Sequence, residues 1–88
     1  MKEKEVLKEL LKNNPKLIGY VLEGDCLITS EVLHAEDFSR LPTSSKLLVK
    51  IGRNLFNGEG HISLFEVANN LDDSNYENFL NAMALYRK

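Results

Sequence analysis

Several things are scarce in this chain, and each scarcity removes a class of protein. There is one cysteine, Cys26. A lone cysteine builds no disulfide framework, so a reducing, cytoplasmic setting is the simpler expectation. No apolar run approaches the ~18 residues that a membrane helix needs, so no membrane span is expected. The N-terminus alternates lysine and glutamate ("KEKE") instead of placing a basic stub before an apolar run, so no secretory leader is expected. Basic charge is also short: 11 Lys and Arg face 13 Asp and Glu, for a net charge of −2. A nucleic-acid binder is usually basic, so nucleic acid is an unlikely partner. Residues 54 to 86 hold no Lys or Arg at all.

What remains describes one small globular domain over residues 1–88. The apolar share of 43% is ordinary for a folded domain and too high for a disordered chain. A chain of 88 residues buries a modest core, so its stability should be only a few kcal/mol unless it pairs with a partner.

Residues 2–13 read as an amphipathic helix, with Val6, Leu7, Leu10 and Leu11 on one face. Asn13, Asn14 and Pro15 stop it. Residues 17–29 turn β-branched and aromatic around Gly24-Asp25. A type II′ turn there would join strands near 17–22 and 26–30, with a helix as the competing reading of the first half. Residues 31–42 form a connector anchored by Val32, Leu33, Phe38 and Leu41. Thr43 or Ser44 then caps a helix that buries Leu47, Leu48, Ile51 and Leu55 and ends at Gly58 as C′ residue. "SLFE" at 63–66 and "SNYE" at 74–77 both have the spacing of a capping box, with Ser63 and Ser74 as N-caps. The first of these helices should bury Leu64, Phe65, Val67, Ala68 and Leu71. The second should bury Tyr76, Phe79, Leu80 and Met83. The expected fold class is α+β: an N-terminal helix, a β-hairpin, then three packed helices.

The chemistry-bearing residues are sparse. Lys46, Lys50 and Arg53 sit at i, i+4 and i+7 on one helix, with Arg40 upstream. They offer an anion or nucleic-acid surface. The more ordinary reading, and the one expected, is the solvated side of a core helix. The GxxxxGK[ST] phosphate loop is lacking. Residues 63–83 have the outline of a helix-turn-helix. Asn75, Asn78 and Asn81 would reach bases, but nothing there offsets phosphate repulsion. His34 and His61 stand 27 residues apart and show no zinc spacing. Cys26 reads as an inert buried strand residue. The adjacent acids Glu36-Asp37 and Asp72-Asp73 do not face each other across a site, and Asp73 reads as first-turn helix charge. No metal, cofactor or catalytic constellation is expected, and so no enzyme.

"CLITSEVL", "SSKLLVKIGRNLFNG", "LF" at 64–65, "LD" at 71–72, "NA" at 81–82 and Arg87 together resemble a family of small uncharacterised proteins, a domain of unknown function. They occur in Gram-positive Firmicutes and in their phages and mobile elements. The resemblance covers roughly residues 26 to 88, with "NLFNG" its most distinctive element. It departs at the front, where the N-terminal segment is shorter. It implies a prokaryotic or phage origin and supplies no activity and no catalytic residues.

The expectation is therefore a non-enzymatic protein-interaction module, such as a phage or mobile-element accessory factor that binds a host protein. Its surface would be the acidic C-terminal helix pair, through Glu66, Asp72, Asp73, Asn75 and Asn78. The alternative is a small nucleic-acid-binding regulator using Arg40, Lys46, Lys50 and Arg53. A third reading is a homodimer with a purely structural role.

Overall fold

The computed structural model describes residues 2–24, 26–58 and 60–87. Helix α1 spans Lys2–Leu10 and continues as a turn through Asn13. Its apolar stripe of Val6, Leu7 and Leu10, with Leu11 just beyond, is fully buried, as the 3.6-residue spacing requires. Pro15 then opens a 3₁₀ helix over Pro15–Tyr20, with proline in the position where its missing N–H is harmless.

That 3₁₀ helix takes most of the length expected of the first strand. The hairpin survives as two short strands, β1 (Leu22–Glu23) and β2 (Cys26–Leu27), antiparallel with Leu22 opposite Leu27 and Glu23 opposite Cys26. One further bond, Ile28 N–H to the Val21 carbonyl at 2.9 Å, extends the pairing. Gly24 has φ +64°, as a primed hairpin turn requires at its first central position. The II′ assignment itself depends on Asp25, which lies outside the described residues. Cys26 is exposed instead of buried, because a two-residue strand at the surface has no second layer over it.

The expected connector is also helical. A second 3₁₀ helix covers Ser30–His34, and helix α2 is a single turn, Glu36–Ser39, whose Phe38 enters the core edge-on to Tyr20. Helix α3 runs Thr43–Asn57 and forms the centre of the molecule. Its N-cap residue is Pro42, so Thr43 is already the first helical residue and no side chain caps this end, contrary to the expected Thr43 or Ser44 cap. Gly58 closes it in the left-handed conformation (φ +75°), donating its N–H to the Asn54 carbonyl.

Helix α4 (Leu64–Asn70) begins at Ser63, whose Oγ accepts the Glu66 N–H at 3.0 Å. Helix α5 (Asp73–Tyr86) begins earlier than "SNYE" implies. Asp72 is its N-cap, with Oδ1 accepting the Asn75 N–H at 2.8 Å. Ser74 instead accepts a bond from Asn13 Nδ2 at 2.7 Å, which ties the end of α1 to the start of α5. Asp73 lies in the first turn, where its charge suits the helix dipole. The α+β order of helix, hairpin and then packed helices holds, with α5 lying most extensively against α1 and α3 between α1 and α4.

Candidate functional site

The main departure from the sequence reading concerns which way the last two helices face. Helix α4 buries Val67 and Leu71, but Leu64 is 83% exposed and Phe65 76% exposed. Ala68 is exposed as well. On α5 the side turned inward carries Asn78 and Ala82, while Leu80 is 49% exposed and Tyr76 is exposed. Phe79 and Met83 lie half-buried at the boundary. So four of the apolar residues expected in the core, Leu64, Phe65, Tyr76 and Leu80, are turned outward. The physical reason is the α1–α5 contact. The buried face of α1 needs a close neighbour, and the small Ala82 and slim Asn78 let α5 approach where a stripe of Tyr76, Leu80 and Met83 would hold it off.

A shallow groove of about 150 Å³ runs between α3, α4 and α5. Ile51 and Leu55 form its floor, Ile62, Leu64 and Val67 one wall, and Phe79 and Met83 the other, with Asn54 contributing the polar part. The Tyr76 and Phe79 rings lie tilted to each other next to it, their centroids 6.1 Å apart. Leu80 follows Tyr76 by four residues and precedes Met83 by three, so the groove wall continues outward along α5. The surroundings are acidic. Glu66, Asp72, Asp73 and Glu77 are all exposed, and no Lys or Arg falls between residues 54 and 86.

Of the residues expected to bind protein, Glu66 and Asp73 are open to a partner. Asp72 spends one carboxylate oxygen on capping α5. Asn75 is half-buried, and its Oδ1 accepts a bond from Asn13 at 3.2 Å. Asn78 is 3% exposed, so it cannot meet a partner, and its Nδ2 has no hydrogen-bond partner among the described residues. Sequence reasoning missed Leu64, Phe65 and Leu80 as surface residues because periodicity reveals an apolar face without revealing what covers it.

The expected basic stripe does not persist as a surface. Arg53 is only 2% exposed, and its Nη1 donates to the Tyr20 carbonyl at 3.2 Å. The 3₁₀ helix over Pro15–Tyr20 packs on this side of α3 and covers it. The sequence did carry a signal: an apolar residue, Val49, stands four before Arg53 on the same helix face, and it is fully buried. Arg40 is ion-paired with Glu36 across one turn of helix, far out in solvent. Lys46 is half-buried and Lys50 exposed. Lys50 and Arg53 do meet at a second cavity, which also holds His61.

Among the described residues, no three His, Cys, Asp or Glu side chains gather where they could hold a metal. No described helix is long and apolar enough to cross a membrane. No family model matches the chain, and no curated protein or solved structure matches it significantly.

Proposed function

We propose that the protein is a non-enzymatic interaction module whose α4–α5 face docks an amphipathic segment of another protein. The observation that carries this reading is Leu64, 83% exposed on the wall of an apolar groove, with its chain neighbour Phe65 76% exposed. Burying a Leu or Phe side chain fully contributes about 1.5–3 kcal/mol, so two such residues supply a useful part of a binding free energy. Large apolar residues clustered at a surface mark interaction sites more often than singly scattered ones.

Charge selects the occupant. The exposed charged residues of the two helices that form its walls are acidic, Glu66, Asp73 and Glu77 among them, with no cation on either helix before Arg87. A second copy of the chain would bring the same acidic rim against itself, so a monomer is expected at micromolar concentration. The complementary partner is a segment with apolar residues flanked by Lys or Arg. The phage or mobile-element setting implied by the resemblance over residues 26–88 makes a host protein its natural source. The nucleic-acid reading is disfavoured, because of its four basic residues Arg53 is buried and Arg40 is ion-paired with Glu36, which leaves an exposed Lys50 and a half-buried Lys46.

The test is selection from a random peptide library displayed against the folded protein. Selected peptides should combine apolar and basic residues, perturb amide resonances on α4 and α5, and lose binding at least tenfold to the Leu64→Ser, Phe65→Ser double variant. Peptides that are acidic, or that map to another face, would overturn the reading.

A further inference from the structure

The groove between α3, α4 and α5 has the volume of a single side chain, about 150 Å³. A cavity of about 150 Å³ lined by Leu, Ile and Phe stays dry and takes a benzene ring. The described lining of the groove is of the same kind, with seven apolar residues.

The floor is firm and the walls are adaptable. Ile51 and Val67 are buried and held by the core. Leu55, Ile62, Phe79 and Met83 are half-buried, so each keeps apolar surface that a guest would cover. Leu64 on the wall is 83% exposed, so the mouth opens to solvent. A ring can enter there on its Cβ while the chain that carries it stays outside. Two wall residues favour an aromatic guest over an aliphatic one. Phe79 already pairs with Tyr76, and a ring beside it would extend that cluster with the gain that aromatic pairs bring beyond buried area. Met83 is unbranched and polarizable, so it can settle around a ring and make sulfur–aromatic contacts.

We propose that the groove is a socket for one aromatic side chain of the docked segment, which makes that residue the anchor of the complex. The proposal rests on the α4–α5 docking reading and sharpens it. The space is too small for a row of side chains, so affinity concentrates in one buried residue. The exposed Leu64, Phe65 and Leu80 cover the flanks and exclude water. The exposed acids Glu66, Asp73 and Glu77 receive Lys or Arg to either side. The fitting partner motif is one Phe or Tyr within a basic segment.

The test is a methyl-detected NMR titration of the full chain with N-acetyl-phenylalanine amide, run beside N-acetyl-leucine amide and N-acetyl-alanine amide. The phenylalanine probe should shift the Ile51, Leu55, Val67 and Met83 methyls in a saturable way. The leucine probe should bind several-fold more weakly, and the alanine probe should not saturate. Ile62→Phe fills the groove from its own wall and should abolish these shifts. Peptides selected on the parent protein should carry Phe or Tyr at one aligned position and lose affinity at least tenfold to Ile62→Phe. Suppose instead that peptides map to α4 and α5, lose binding to the Leu64→Ser, Phe65→Ser variant, and bind Ile62→Phe at parent strength. That result would overturn the socket and leave the docking face standing. Equal binding of the leucine and phenylalanine probes, or saturation by neither, would also overturn it. The probe titration on the parent chain decides the proposal even where Ile62→Phe does not fold.

Discussion

Gly52 of α3 faces Leu7 of α1 so closely that a Cβ at position 52 would stand 2.9 Å from Leu7 Cδ2, and 3.4 Å from Val21 Cγ2. The central helix therefore crosses α1 where only a hydrogen fits. Alanine at this site gains about 1 kcal/mol of helix propensity over glycine, while overpacking typically costs about 1–3 kcal/mol. Leu7 is itself fully buried and has little room to turn aside. Gly52→Ala should thus be mildly destabilising, and Gly52→Val should cost about 3 kcal/mol because its branch points add bulk toward Val21 as well. Urea unfolding of the two variants checks this. A Gly52→Val protein as stable as the parent would show that the helices do not cross there.

The start of α5 gives a cleaner discrimination. Asp72 accepts the Asn75 N–H, whereas Ser74 accepts from Asn13. Asp72→Ala should cost about 0.5–2 kcal/mol, the usual value of an N-cap. Ser74→Ala removes one exposed side-chain bond and should cost less, with the loss shared by Asn13→Ala in a double-mutant cycle. If Ser74→Ala proved the more damaging of the two, α5 would begin at the register that "SNYE" suggests.

Asn78 presents an amide inside the α5 interface with its Nδ2 unpartnered among the described residues. An unsatisfied buried donor costs about 1–3 kcal/mol. Asn78→Leu removes that donor and keeps a branched side chain of comparable length. It should leave stability unchanged or raise it by about 1 kcal/mol, read as a shift of the urea midpoint at constant slope. A clear loss of stability would mean that the amide is satisfied by buried water.

How far the sequence specifies this molecule varies by element. Helix α1 and the end of α3 were legible because their signals are local: a 3.6-residue stripe in Val6, Leu7 and Leu10, and a glycine at 58 where the chain needs φ +75°. Ser63 was legible for the same reason. The first strand was not, because Leu17, Ile18 and Tyr20 fit a strand as well as a helix. Pro15, which favours a helical first turn, decided the outcome locally. Arg53 was misread because its burial comes from a 3₁₀ helix distant in sequence, joined through a Tyr20 carbonyl 33 residues away. The site residues Tyr76 and Leu80 form a second such case. Their spacing marked an apolar face, but α1 had already claimed the opposite side of α5.

That outward face makes the strongest prediction, because folding and docking should respond to different residues on neighbouring turns. Leu64 and Phe65 are largely exposed, so Leu64→Ser and Phe65→Ser should each change stability by no more than about 0.5 kcal/mol. Leu71, two turns along and buried, should lose about 2–5 kcal/mol on substitution by alanine. Binding of a hydrophobic dye to the native protein should follow the reverse order, falling in the two serine variants. It should be unchanged in Leu71→Ala at temperatures where that variant remains folded. Thermal melts and dye titrations on the same samples separate the two effects. If Phe65→Ser destabilised the fold as much as Leu71→Ala, the ring would be a core residue and the α4–α5 face would lose its claim as a docking surface.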